Sequence, residues 1–168
     1  MDQSAFYGVV SAINFTLLGL WWVAVKDLRG AVEETASTRR TAYLVSLQFV
    51  IPGTVALLAQ VSPEVAQVWR TAFAIAGVVG VVSVVMLANE LRRTSGGQLI
   101  PDLFVGLGVP LYVAVVAVAV LPLAGLLPAS FTPIQAEAVL VTLLVVLGVQ
   151  EAWAVSMTAK QEPTAKSD

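Results

Sequence analysis

Residues 132–157 read TPIQAEAVLVTLLVVLGVQEAWAVSM, and this stretch decides the fold. Thr132, Pro133 and Gln135 have the pattern of a helix start: a hydroxyl N-cap, proline at the first helical position, and a glutamine three residues after the cap that can reach back to it. Behind that start, residues 138–149 carry one hydroxyl and no charge. Glu137 and Glu151 flank the run fourteen residues apart, about 21 Å along a helix axis, whereas the hydrocarbon core of a bilayer is about 30 Å thick. Both carboxyls cannot lie outside a core of normal thickness. The stretch is therefore expected to cross a membrane with at least one ionisable side chain inside it.

Composition extends that reading to the whole chain. Of 168 residues, 58% are hydrophobic and 12% charged, and the mean hydropathy is +0.86. A soluble domain has about 25% charged residues, and a soluble fold of this length could not hide so much apolar surface. The net charge of −2 suggests neither a nucleic-acid partner nor a polybasic membrane-surface protein. The chain has no Cys and no His, which removes disulfides, thiol catalysis, imidazole bases, His-ligated haem and nearly all catalytic zinc sites. No metal and no cofactor are expected, and the chain is not expected to be an enzyme, since no cluster of nucleophile, base and metal ligands can be assembled from what remains.

Apolar runs and punctuation divide the chain into five spans, about 6–29, 41–60, 63–91, 103–121 and 133–157. The first lacks the basic leader of a signal peptide and ends in Trp21, Trp22, Lys26, Arg29 and Gly30, a sequence of interfacial rings, cations and a C-cap glycine. The second holds Gln48, Pro52 and Gly53. The third opens at Ser62, Pro63 and Glu64, a start resembling the one at 132, and closes on Arg92 and Arg93. The fourth contains Pro110. Residues 1–158 are expected to be a single transmembrane domain, an all-α bundle, and 159–168 a short disordered cytoplasmic tail.

In this topology Lys26, Arg29, Arg39, Arg40, Arg92, Arg93, Lys160 and Lys166 fall on one side and only Arg70 on the other. Because Lys and Arg concentrate in cytoplasmic loops, the N-terminus is expected outside and the C-terminus inside a prokaryotic cytoplasmic membrane. The four tryptophans fall near the interfaces. RRT recurs at 39–41 and 92–94, and KDLR at 26–29 resembles NELR at 89–92, but cytoplasmic helix ends favour such residues without any internal repeat.

Polar side chains at membrane depth are the candidate functional residues, because they face a bundle interior or a cavity and an ionisable one marks function by default. Gln48 lies about 9 Å, Tyr112 about 13 Å and Glu151 about 9 Å inside the apolar ends of their spans. Pro52 deprives the Gln48 carbonyl of its helical donor and Pro110 does the same to Gly106. Glu151, Gln48, Tyr112 and those carbonyls are expected to form an oxygen-rich site for a proton or small cation if their helices face inward. On the fifth span Glu137, Val141, Leu144, Gly148, Glu151 and Val155 share one stripe. The plainer readings are that Trp153 marks the headgroup level and leaves Glu151 interfacial, that Glu137 is interfacial as well, and that Gln48 and Asn14 are packing glue.

Ala72, Ala76 and Gly80 recur at four-residue spacing, a face on which backbones approach closely, either within the chain or in an oligomer. The leading expectation of function is a non-enzymatic accessory or assembly subunit presenting helical faces to a membrane-protein partner within the bilayer. The alternative is a homo-oligomeric channel or small carrier for protons or small cations using Glu151.

Overall fold

A computed structural model describes residues 3–31, 36–61, 65–94, 98–121 and 132–159. These form five α-helices: α1 (Gln3–Ala31), α2 (Ala36–Val61), α3 (Ala66–Thr94), α4 (Leu99–Val120) and α5 (Pro133–Ala159). All five are long and apolar enough to cross a membrane. The expected disordered tail lies outside the described residues, except for Ala159, which is helical.

Helix ends follow local chemistry. At α5 the expected start is in place: the Thr132 N–H donates to Gln135 Oε1 at 2.8 Å, and the Thr132 carbonyl accepts from the N–H groups of Gln135 and Ala136. The α2 helix begins five residues earlier than the apolar run suggests, because its polar first turn is held from outside: Ser37 Oγ donates to Glu90 of α3. The α3 helix begins at Ala66 rather than 63; Ser62, Pro63 and Glu64 lie outside the described residues, and Val65 is non-helical, its carbonyl accepting from the Val68 N–H at 3.0 Å. The α4 helix starts at Leu99, four residues before the expected 103, with Pro101 in a first turn where a missing N–H costs no helical bond. Asp102 in that turn suits the helix N-terminus and pairs with Arg92.

The helices close into a ring in which α1 packs on α2, α2 on α3, α3 on α4, α4 on α5 and α5 on α1, with α2 also crossing to α5. That extra contact makes α2 the most enclosed helix. One hydrophobic cluster gathers Tyr7, Ala59, Trp69, Phe73, Ala119 and Ile134, from the start of α1, the end of α2, the start of α3, the end of α4 and the start of α5. A second gathers Trp21, Ala42, Leu91, Phe104 and Ala154 from the opposite ends. Leu47 and Leu111 pack against both. Outside the ring, Leu20, Ile75, Val78, Val120 and Val146 are exposed, an apolar surface far beyond what water tolerates on a monomer. The chain is thus compatible with a multi-pass membrane protein.

The tryptophans divide into two pairs. Trp22 and Trp153 face outward, as interfacial rings do. Trp21 and Trp69 instead turn into the bundle, Trp21 donating Nε1–H to the Ala42 carbonyl at 3.0 Å and Trp69 meeting Phe73 edge to face. Indole burial here fastens neighbouring helices, α1 to α2 in the first case.

Candidate functional site

The site is built from α5 outward. Fourteen residues at 100° each return to within about 40° of the starting direction, so Glu137 and Glu151 share a face. That face, with Val141, Leu144, Gly148 and Val155, is buried along its whole length. Gly148 is the reason α5 can approach α2 here: a Cβ at residue 148 would stand 3.3 Å from both the Cβ and the carbonyl oxygen of Gln48. The carbonyl left without a helical donor by Pro52 is therefore covered by the one residue type on α5 that has no side chain.

Opposite, α4 presents Phe104, Gly108, Tyr112, Val115 and Ala119 at intervals of three and four. Tyr112 reaches across the interior and donates its hydroxyl hydrogen to Gln48 Oε1 at 2.9 Å. Gln48 Nε2 donates to Ser83 Oγ of α3 at 3.1 Å, and Ser83 donates to the Gly80 carbonyl at 2.8 Å. Three helices are joined by one directional chain of hydrogen bonds that ends on a backbone oxygen. Glu151 lies one turn beyond Gly148 on the same face of α5.

Glu151 itself is 0% exposed, and neither carboxyl oxygen has a hydrogen-bond partner among the described residues. The expected interfacial position is corrected in one respect: whatever its level in a bilayer, the side chain is enclosed by protein. Glu137 is corrected in the same way, being 0% exposed with both oxygens unpartnered. An ionised carboxylate is costly to bury without a donor or a cation. Each position therefore calls for a proton, a cation or a donor from beyond the described residues.

Gln48 and Tyr112 are thus brought together as a bonded pair, with Glu151 close by. The Gly106 carbonyl is not part of this cluster: Gly106 and Pro110 lie on the exposed side of α4, about 120° and about 160° around the helix from Tyr112, and a Cβ at 106 would meet nothing within 4 Å. Ala72 and Ala76 pack against the chain's own core, and Gly80 seats the ring of Tyr112. Ser83 is the functional neighbour that sequence reasoning left out; its signal was its place three residues after Gly80 on the same face. Asn14, fully buried on α1, donates to the Val10 carbonyl at 2.9 Å and leaves Oδ1 without a partner.

At one end of the bundle a charged group ties three helices together. Glu90 of α3 accepts from Ser37 and lies 3.7 Å from Arg40 of α2, and Arg92 bonds to Asp102 of α4. Among the described residues no three Asp or Glu side chains gather into a metal-binding group. No protein family, curated protein or solved structure matches this chain.

Proposed function

We propose that the protein is a small carrier in a prokaryotic cytoplasmic membrane, N-terminus outside, that binds and releases a proton at Glu151. The observation that carries this reading is the enclosed Glu151 carboxyl, whose two oxygens have no hydrogen-bond partner among the described residues, on the face of α5 that packs against the Tyr112–Gln48–Ser83 hydrogen-bond chain. An enclosed carboxyl with no donor at its oxygens is held most cheaply as the neutral acid, and losing the proton leaves a charge that the surrounding helices must rearrange to meet.

A proton fits this set of groups better than a small metal cation. One carboxyl, one phenol and one already bonded amide fall short of the six or more oxygens that hard cations such as Ca²⁺ gather. The site also lies within a single chain, so it needs no second copy. We rank this reading above the accessory subunit because Ala72, Ala76 and Gly80, the face on which that role would rest, pack on the chain's own interior.

Reconstitution into liposomes with an imposed pH gradient tests the proposal. The gradient should collapse faster than in protein-free vesicles, at a rate insensitive to exchanging Na⁺ for K⁺. Collapse no faster than in empty vesicles, in either direction of the gradient, would remove the carrier reading.

A further inference from the structure

We propose that Glu137 is a second proton-binding carboxyl, loaded from the end of the bundle opposite to the one that loads Glu151. This rests on the proton reading of Glu151 but concerns a different residue, and the two can fail separately.

Glu137 stands one turn inside α5, whose first residue is Pro133. Its surroundings repeat those of Glu151. Tyr7 of α1 donates its hydroxyl hydrogen to the Ile134 carbonyl at 2.7 Å, which fastens α1 to α5 one turn before Glu137. Among the described residues both Glu137 oxygens are without a donor, in a side chain that is fully enclosed. Two fully enclosed carboxyls on one face of one helix, each without a hydrogen-bond partner among the described residues, form a repeated arrangement rather than a single buried acid.

Among the described residues no charged side chain on a helix packed against α5 compensates Glu137. Of the helices packed on α5, α1 contributes Tyr7 at this end, while α2 over residues 44–61 and α4 over residues 113–120 contribute no titratable side chain. Arg70 belongs to α3, which does not pack on α5, and lies over the Trp69 ring. At the Glu151 end the corresponding groups are Tyr112 of α4, the exposed Arg39, Arg40 and Tyr43 of α2, with Arg40 paired to Glu90, and the exposed Lys26 and Asp27 of α1. The two environments share no charged neighbour.

Between them lie Val141 and Leu144, both buried. The carboxyls are about 21 Å apart along the axis, far beyond hydrogen-bond reach, so neither can pass a proton directly to the other. Asn14 sits two turns along α1 from Tyr7, about 10 Å deeper, and its unpartnered Oδ1 is an unused acceptor near the middle of the gap. The arrangement is two stations separated by an apolar layer, each closer to a different end of the bundle.

Infrared difference spectroscopy of the reconstituted full chain across a pH step reads protonated carboxyls directly. With the pH step kept above about 6, where exposed carboxyls, which titrate near 4, stay ionised, the wild type should show two titrating carboxyls, and Glu137→Gln and Glu151→Gln should each remove about half of the amplitude. Glu137→Asp, which keeps the acid on a shorter stem, should shift its band without removing it, which separates loss of the acid from loss of the fold. With the pH stepped on one face of oriented vesicles, the signal left in Glu151→Gln should answer to one face and that left in Glu137→Gln to the other. An unchanged spectrum in Glu137→Gln, or both signals answering to the same face, overturns the second site while leaving the proton reading of Glu151 standing. No titrating carboxyl in the wild type overturns both.

Discussion

The ring of Tyr112 on α4 occupies the space directly over Gly80 on α3 that any side chain at residue 80 would need. The phenol can reach Gln48 on α2 only because α3 offers no Cβ at that point. A glycine thus sets the position of a hydroxyl that belongs to a different helix and bonds to a third. Gly80→Ala should push the ring aside and cost about 1–3 kcal/mol, the usual penalty of overpacking. Gly19→Ala, where nothing lies within 4 Å of the added methyl, should be neutral or stabilising. Thermal unfolding in detergent compares the two, and equal melting temperatures would contradict the packing described.

Gln48 holds both neighbours of the hydrogen-bond chain, so its loss should be felt twice. Gln48→Leu leaves the Tyr112 hydroxyl without its acceptor in a buried position and should cost about 1–3 kcal/mol. Tyr112→Phe removes only one bond and should cost less, about 0.6–2 kcal/mol. In the double variant the two effects should be less than additive, measured as a coupling energy in a double-mutant cycle. Strict additivity would mean that the pair does not interact.

The two ion pairs at the charged end should respond differently to removal. Glu90 is buried and holds Ser37 and Arg40, so Glu90→Ala should cost about 1–3 kcal/mol. Asp102 and Arg92 are exposed, and Asp102→Asn should cost at most about 1 kcal/mol, less still at high salt. Denaturation at two ionic strengths distinguishes them.

Because the chain has no Cys, single cysteines can report its orientation without background. Cysteines at Lys26 and Arg93 should react with an impermeant thiol reagent only from the cytoplasmic face, and one at Thr132 only from outside. The reverse pattern would invert the proposed topology without altering the bundle.

Most of the architecture was legible because the bilayer imposes length and polarity directly on sequence: apolar runs bounded by caps, prolines and cations yield five helices whose ends shift by only a few residues. The shifts occur where side chains rather than hydropathy extend a helix, as at Ser37, or where a proline is tolerated in the first turn, as at Pro101. The buried face of α5 followed from helical period alone. What period could not supply was the partner across the interior. Gln48, Tyr112 and Glu151 were grouped by depth, but depth cannot say that Gly106 faces outward or that Ser83 completes the chain of bonds. Nor could it say that Glu137, one turn from a helix start, is enclosed by neighbouring helices instead of reaching water.

The central claim is that Glu151 carries the proton, and flux through variants at that one residue tests it most directly. In vesicles with an imposed pH gradient, Glu151→Gln, nearly isosteric and unable to titrate, should reduce proton flux to the level of empty vesicles while the protein keeps its wild-type melting temperature. Glu151→Asp should retain part of the flux. Wild-type flux in a folded Glu151→Gln variant would contradict the account.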